Sequence, residues 1–403
     1  MIVPRIAAAL LGSALVIFTL ASAIKTVVVP RALTTNLTRA HFLMFRRLFD
    51  LLTPPSRPFA ARDRIMALYA PVSLVTLPAT WIVLVVTGFT AVFWGTGIDP
   101  LTVAFETSGS SLLTLGFLRP QGVGRQMLTF VEAGMGLGLV SLMISYLPSI
   151  YAAFSRREML VGLLEVRAGL PPSPIELLVR YQFIGWLDNI DADLFQKWEG
   201  WFADIEESHT SQPSLVFFRS PHPERSWLTA AGCVLDTAAI VASTIDREPT
   251  GIPDLIIRAG YLSLRRIADF FQIAYDPDPS PTAPIAIRRD EFDDMYDQLN
   301  EAGVPLRERE QAWLDFVGWR VNYETVLLEL CALAMAPPAM WSSDRMREGH
   351  VRPPLRFRRA ARDAARPTPT VVSDAAGTSE SDDNGHREKI VAGVRPRRIN
   401  RRR

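Results

Sequence analysis

The stretch SSLLTLGF, residues 110–117, lies between two long apolar segments and decides how this chain folds. It is too short and too rich in hydroxyl groups to cross a bilayer, which takes about 20 predominantly apolar residues. It nevertheless lies where a chain that crosses the membrane and returns has to turn. Irregular backbone persists at membrane depth only where it is buried in protein or lines a water-filled cavity. The sequence therefore predicts a re-entrant pore loop between two transmembrane helices.

Three apolar segments reach the length of a transmembrane helix: residues 6–29, 66–94 and 127–154. The second contains no charged residue, and the third contains Glu132 near its start. We therefore expect an all-α membrane protein with three transmembrane helices. The first segment also fits a cleaved signal peptide, because small residues at 21–23 follow its apolar core.

The segment that follows the first span is basic. Residues 25–65 hold one lysine and seven arginines against two aspartates. Short positively charged loops stay in the cytoplasm, so we place this loop inside and the N-terminus outside. Arg156 and Arg157, directly after the third span, favour the same orientation. The predicted location is the plasma (inner) membrane, with the C-terminal part of the chain in the cytoplasm.

A short helix is predicted to precede the turn. Asp99 is the expected N-cap and Pro100 the first helical residue. The C-terminal end of such a pore helix carries partial negative charge, and a cavity in front of it attracts cations. Residues 114–117 are then expected to be extended, with Gly116 allowing a strained backbone conformation.

Four side chains are assigned to this predicted pore helix and its mouth: Ser110, Ser111, Glu106 and Arg119. An ionisable residue within a membrane segment is costly to bury and is a functional candidate by default. Glu106 is expected to pair with Arg119 or Arg125 and so to clamp the loop. Glu132 is expected either to act as a clamp of the same kind or to reach headgroup water.

The order outer helix, pore helix, Thr-Leu-Gly-Phe, inner helix resembles the two-transmembrane pore module of the potassium-channel superfamily. The resemblance covers about residues 66–154. The family's filter reads Thr-Val-Gly-Tyr-Gly, and its first four positions are matched in kind by Thr114, Leu115, Gly116 and Phe117. The resemblance implies a homotetramer around a central axis, in which the carbonyl groups of these four residues line a filter for a monovalent cation.

This sequence departs from the family's filter at the next two positions. Leu118 stands where the second filter glycine would be, and Arg119 stands where an acidic residue often follows. In a tetramer Arg119 would form a ring of four positive charges near the mouth. Such rings favour anions or block cations. The resemblance therefore predicts a channel-like architecture and leaves the permeant ion open.

The third span contains residues that match the family's inner helix. Gly134, Gly136 and Gly138 fall where inner helices carry a hinge glycine, and Pro148 resembles the proline bend of some inner helices. Gly134 and Gly138 also form a small-xxx-small pattern, which allows two helices to pack closely. Hinge bending and close packing are both open from the sequence.

Residues 155–344 predict an α-helical cytoplasmic domain, since apolar residues recur there at helical spacing between proline-containing turns. Residues 226–244 are expected to form a buried helix of this domain rather than a fourth span. Asp236 within it then needs a buried arginine or hydroxyl partner. Glu206 and His209 have a spacing that can bind metal, but no second copy is present, so a histidine with surface contacts is the expected reading.

The last segment, residues 345–403, is rich in arginine and poor in large apolar side chains, and we expect it to be disordered. It carries a net charge of about +9, whereas residues 155–344 carry about −14. Anionic membrane lipids are its expected partner. The acidic helical domain is a second candidate, and nucleic acid is not expected. Cys233 and Cys331 lie among apolar neighbours and are expected to be reduced core residues.

The sequence thus predicts five parts: an N-terminal transmembrane helix (1–30), a basic cytoplasmic loop (31–65), a channel-like pore module (66–154), an α-helical cytoplasmic domain (155–344) and a disordered basic tail (345–403). The expected function is that of a potassium-channel-like membrane protein whose ion conduction is gated by the helical domain. The alternative is a non-conducting, membrane-anchored scaffold or sensor. No catalytic constellation, cofactor motif or metal site is present in the sequence, so we do not expect an enzyme.

Overall fold

Three long apolar helices dominate the N-terminal half of the chain. A computed structural model describes residues 2–28 and 35–345, and the described residues are helical with one isolated β-bridge. Helices of membrane-spanning length and composition cover Ile2–Val27, Phe59–Gly95 and Val123–Ala168. The prediction of an all-α chain with three candidate transmembrane helices is therefore confirmed. The tail from residue 346 onward lies outside the described residues.

The described part of the chain contains thirteen α-helices. They are α1 (Ile2–Val27), α2 (Asn36–Leu52), α3 (Phe59–Met66), α4 (Tyr69–Gly95), α5 (Leu101–Leu112), α6 (Val123–Ala168), α7 (Pro174–Phe183), α8 (Gln196–Ser211), α9 (Trp227–Ser243), α10 (Ile252–Phe271), α11 (Arg289–Glu301), α12 (Arg309–Arg320) and α13 (Glu324–Ala334). We call α4, α5 and α6 the central module, and α7 to α13 the helical bundle.

Helices α1 and α4 lie antiparallel and in close contact. A Cβ atom added at Gly88 would lie 2.6 Å from a methyl group of Val16, and one added at Gly95 would overlap the Arg5 carbonyl oxygen. Small residues let helix backbones approach in this way, which is the main source of helix association inside a membrane. The closeness of α1 and α4 therefore depends on the small residues of both helices.

Most of the described part of the segment predicted as a basic loop, residues 35–65, is helical. Helix α2 begins after Thr35, whose side chain accepts a hydrogen bond from the Thr38 amide, and α3 follows before α4. His41 of α2 is buried and contacts the Ser73 carbonyl oxygen at 2.8 Å and the Thr80 hydroxyl at 3.0 Å. The prediction of a loop was wrong because the apolar residues of this segment recur at helical spacing and pack against α4.

The helical bundle surrounds α9, nearly all of whose residues are buried. The predicted buried partner of Asp236 is confirmed. Its carboxylate accepts hydrogen bonds from the Arg320 guanidinium and, at 2.7 Å, from the Tyr323 hydroxyl. Arg320 also donates to Glu324 at 2.5 Å and to the Trp341 carbonyl oxygen. The buried charges of Asp236 and Arg320 are tolerated because the two groups pair with each other and form further hydrogen bonds.

Arg157 joins the bundle to the long helix α6. It is fully buried and donates to the carbonyl oxygens of Leu215 and Phe218, both at 2.8 Å. Its guanidinium lies 3.1 Å from the imidazole Nε2 of His209, which is also buried. Burial, and then the Arg157 charge, lowers the pKa of His209, so this imidazole is neutral at physiological pH. The expected surface position of His209 was wrong, because α8 packs against α6.

Candidate functional site

Helix α5 starts one residue later than the sequence predicted. Pro100 is the N-cap and Leu101 the first helical residue, and no side chain caps the helix. Asp99 instead accepts a hydrogen bond from Arg5 at 2.6 Å. The predicted N-cap role of Asp99 was therefore wrong, since an arginine at the start of α1 takes its carboxylate. This ion pair fixes the loop before α5 to the N-terminal end of α1.

Buried hydroxyl groups hold α5 between α4 and α6. Ser108 is fully buried and donates to Glu132 Oε1 at 2.5 Å, and its hydroxyl oxygen also lies 3.2 Å from the Val86 carbonyl oxygen. Ser111 donates to the Thr129 carbonyl oxygen at 2.8 Å. These contacts join α5 to Val86 of α4 and to Thr129 and Glu132 of α6. Together they place the polar face of α5 inside the protein, where buried polar groups are usually hydrogen-bonded.

The end of α5 approaches the backbone of α6 at Gly136. A Cβ atom added at Gly136 would overlap the Leu112 carbonyl oxygen. Gly136 is eleven residues beyond Arg125 and twenty before Arg156. At 1.5 Å per residue, these separations correspond to about 16 Å and about 30 Å along α6. The C-terminal end of α5 thus lies beside an apolar part of α6, between the charged ends of its span.

The chain leaves α5 by a tight turn rather than by the extended segment that the sequence predicted. The Leu115 amide donates to the Ser110 carbonyl oxygen at 2.8 Å, and the Thr114 amide to that of Ser111 at 3.0 Å. These are the two bonds of a Schellman motif, which caps the last carbonyl groups of a helix. Thr114 has φ +57° at a position where glycine is usual. A β-branched residue there is strained, and strain of this kind clusters at functional sites.

Ser110 accepts hydrogen bonds from the backbone amides of the turn. Its carbonyl oxygen accepts from Leu115 and from Gly116, the latter at 3.2 Å. Its hydroxyl oxygen accepts from the Phe117 amide at 3.1 Å and the Leu118 amide at 3.4 Å. Four successive N–H groups therefore point at one buried serine.

The carbonyl groups of residues 114–117 must point the other way. In a planar trans peptide the C=O and the following N–H are antiparallel. The N–H groups of residues 115–118 point towards Ser110, so the carbonyl groups of residues 114–117 are directed away from α5. In the described part of the chain none of these four oxygens accepts a hydrogen bond. The segment is exposed in the single chain, with Leu115 at 62% and Phe117 at 63%. The four filter-like residues thus present a row of unpaired carbonyl groups.

The predicted clamp by Glu106 does not form. Glu106 and Arg119 are both exposed, and no ion pair between Glu106 and an arginine occurs among residues 35–345. Arg125 instead donates to the Thr96 carbonyl oxygen at 2.5 Å. Glu132 is the carboxylate that joins two helices, through Ser108. Glu132 was the second candidate clamp in the sequence, as the one charged residue of the segment 127–154.

One face of α6 is exposed along the membrane-spanning part. Its exposed residues include the smaller Gly134, Gly138, Ser141, Ser145 and Pro148 and, nearer the start of α6, the larger Met127 and Phe130. At 100° per residue they fall within an arc of about 80°. A side chain at Gly134 or Gly138 would meet open space, whereas Gly136 on another face contacts α5. The three predicted glycines therefore divide into Gly136, which packs inside the chain, and Gly134 and Gly138, which lie on an exposed side of α6.

Helix α6 is continuous from Val123 to Ala168, with Pro148 inside it. Gly134 and Gly138 lie within this unbroken helix. Their exposure is what close packing against another molecule, or lining of a cavity, requires. Sequence reasoning did not identify Ser141 and Ser145, which share this face; their hydroxyl groups in an otherwise apolar helix were the available signal.

The Glu132–Ser108 bond yields a test of how α5 is held. We expect Glu132→Gln to retain the link, because an amide oxygen accepts the same hydrogen bond. Glu132→Leu removes this acceptor and should lower the free energy of unfolding by about 0.5–1.5 kcal/mol, because the Val86 carbonyl oxygen can still accept from Ser108. Thermal unfolding of the detergent-solubilised chain measures the difference. Equal stability of the two variants would show that this bond does not hold α5.

Metal-binding and cysteine-based sites are two further possibilities for the described residues. Among residues 2–28 and 35–345, no group of three or more His, Cys, Asp or Glu side chains could hold a metal ion. Glu206 pairs with Arg266 while His209 faces Arg157, so these two side chains, whose spacing alone would allow metal binding, have different partners. Both cysteines are buried and free, as expected. Comparison of this chain with protein-family models, curated proteins and solved structures gives no match.

Proposed function

We propose that this chain forms an ion-conducting, potassium-channel-like pore in the plasma membrane, in which several copies surround one axis. The carbonyl groups of residues 114–117 line the narrow part of the path, and a monovalent cation is the permeant ion. The observation that carries the proposal is the row of four unpaired carbonyl groups directed away from Ser110.

The argument from these carbonyl groups is energetic. An unsatisfied backbone group in hydrocarbon costs several kcal/mol, so exposed irregular backbone does not face lipid. The turn after α5 lies beside Gly136, between the charged ends of the α6 span. It therefore requires water, an ion or another copy of the chain in front of it. A shared axis supplies all three, since carbonyl oxygens there replace the hydration shell of an ion.

The exposed face of α6 supports the same arrangement. Small and hydroxyl-bearing residues at 134, 138, 141 and 145 suit either a pore wall or a close helix contact. In the single chain, a side chain added at Gly134 or Gly138 would meet open space. A tetramer, the arrangement that the family resemblance implies, places four such faces around the axis. Glycine at 134 and 138 then leaves room for a conduction path.

The orientation proposed from the charges fits the contacts. With the N-terminus outside, Arg5 and Asp99 meet at the outer surface, and the basic α2–α3 segment lies at the cytoplasmic surface. The helical bundle then lies in the cytoplasm, attached to α6 through Arg157. Because α6 runs unbroken from the module into the bundle, a movement of the bundle is transmitted to the α6 face. We propose this as the route of gating.

Flux measurements on reconstituted protein test the proposal. We expect liposomes containing the chain to conduct K⁺, and Gly116→Val to reduce the flux at least tenfold. Gly116 has φ +70°, which valine adopts only with strain, although a side chain there would meet open space. Gly116→Asn is the matched control, because asparagine tolerates this conformation and should lose much less flux.

Assembly is tested by the mass of the purified complex. Four chains of 44.9 kDa predict about 180 kDa without detergent. A monomer or dimer that conducts neither K⁺ nor Cl⁻ would contradict the pore and favour the non-conducting scaffold. The exposed Arg119 is the observation that favours this second function, since four such charges at a mouth oppose cations.

A further inference from the structure

The exposed face of α6 continues beyond the membrane. Five of the twelve residues 156–167 are charged, which is too many for the hydrocarbon core. This part of α6 therefore lies in water. It nevertheless exposes large apolar side chains, with Met159 at 63%, Leu163 at 49% and Val166 at 72%. We call these three residues the α6 stripe.

The stripe is a separate surface from the one that α6 uses inside the chain. Val161, Leu164 and Ala168 are almost completely buried against the helical bundle. The stripe residues lie on the other side of the helix and are spaced by four and three positions. This is the a/d spacing at which helices associate in a bundle or coiled coil. An aqueous helix with apolar residues on both sides is usually buried on both.

The stripe is continuous with the exposed face inside the membrane. At 100° per residue, Met159, Leu163 and Val166 all fall within about 40° of the direction of Gly134. A partner that covers the α6 face in the membrane is therefore also in front of the stripe. Both surfaces belong to one continuous helix, α6, which contains Pro148 between them.

The membrane determines which partner fits. All copies of a membrane protein insert in one orientation, so their α6 helices are parallel and at the same depth. Met159 of one copy is then level with Met159 of the next, and the stripe is complementary to itself. The arginines beside it are neutralised within their own chain, Arg156 by Asp204 at 3.2 Å and Arg167 by Asp193 at 3.0 Å. Like charges therefore do not oppose the contact.

We propose that Met159, Leu163 and Val166 form a self-association surface on the cytoplasmic side, where α6 helices of neighbouring copies pack in parallel. This inference rests on the proposed function, because it takes several copies around one axis as given. It adds a contact outside the membrane that holds the copies together independently of the contacts within it.

Cysteine cross-linking of the full chain in its membrane tests the surface. Leu163→Cys reports on the stripe, and Ser141→Cys reports on the same face inside the membrane. Glu199→Cys is the control, an exposed position on α8 away from α6. The native cysteines are buried and do not interfere. We expect oxidation to link Leu163→Cys into dimers at least tenfold faster than Glu199→Cys.

The outcomes separate the two proposals. If Ser141→Cys cross-links and Leu163→Cys does not exceed the control, the stripe is not an interface and the pore proposal stands. If Leu163→Cys cross-links and Ser141→Cys does not, the copies associate outside the membrane only, and the shared pore fails. A second measurement uses Leu163→Asp, which should weaken association in detergent at least tenfold, with Leu163→Met as the conservative control. An unchanged association of Leu163→Asp, with its helix content retained, would overturn the inference.

Discussion

Replacing Arg320 by methionine is expected to produce the largest loss of stability in the helical bundle. The substitution preserves much of the side-chain volume but leaves Asp236 buried without its cation. Breaking a buried ion pair from one side costs about 3–5 kcal/mol, because a charge stays uncompensated in a medium of low polarity. Glu324 and the Trp341 carbonyl oxygen lose a donor at the same time. Unfolding of the detergent-solubilised chain, followed by circular dichroism, measures the effect.

The matched control is Arg266→Met on α10. Arg266 also pairs with a glutamate, Glu206, but its side chain is 57% exposed. Exposed pairs of this kind contribute about 0–1 kcal/mol, so we expect this variant to unfold almost as the parent does. A loss for Arg320→Met that is no larger than the loss for Arg266→Met would show that the buried network does not hold the bundle together.

The cost of Arg320→Met should depend on pH. Burial raises the pKa of Asp236 to about 6 in the parent, against the opposite effects of Arg320 and Tyr323. Removing Arg320 raises this pKa further. A carboxyl whose pKa is higher in the folded state is most stabilising below its unfolded pKa of about 4, and this stabilisation is lost as the pH rises through the folded value. We therefore expect the difference in unfolding free energy between parent and variant to be larger at pH 8 than at pH 5.

Gly136→Val is expected to abolish flux through the proposed pore. A Cβ atom at this position would overlap the Leu112 carbonyl oxygen, which belongs to the backbone of α5 and cannot rotate away. Helix α5 would have to move from α6, and the Ser108–Glu132 bond and the turn held by Ser110 would move with it. We expect K⁺ flux in liposomes to fall at least 100-fold. The carbonyl groups of residues 114–117 would lose their common direction.

Gly124→Ala is the control for this substitution. Gly124 lies at the start of the same helix, and a Cβ atom there meets nothing within 4 Å. Alanine is a better helix former than glycine by about 1 kcal/mol, so this variant should be at least as stable as the parent and should conduct. Normal conduction by Gly136→Val would show that the position of α5 is not required, and the proposed filter would be wrong.

Parts of the central module were predictable because they depend on local properties of the chain. Long uncharged runs such as residues 66–94 predict helices of spanning length, since hydrocarbon leaves the backbone no other way to satisfy its hydrogen bonds. The half-helix after Pro100 was also predictable, from its length and its position between two such runs. The need of Asp236 for a buried partner followed from its place in an apolar helix.

The errors concern contacts between distant parts of the chain. Asp99 was expected to cap α5, but Arg5, 94 residues away, takes its carboxylate. Glu106 was expected to pair with Arg119 or Arg125, but only Glu132, the other candidate clamp, forms a link, to Ser108 of α5. Residues 31–65 were expected to be a loop, and α2 forms there because it packs against α4. Short-range sequence preferences do not identify which of several possible partners a side chain binds, because that partner can be a residue far away in the chain.

The amino-acid sequence by itself determined that this chain is helical and that three of its helices are long and apolar enough to cross a membrane. It also determined that a short, hydroxyl-rich helix lies between the second and the third of them. These features follow from hydrophobicity and helical periodicity, which act over a few turns. Only the tertiary structure decided that Ser110 accepts hydrogen bonds from four backbone amides and that the C-terminal end of α5 packs against Gly136. The direction of the carbonyl groups at 114–117 depends on those contacts, because a peptide group orients its oxygen by where its N–H is bound.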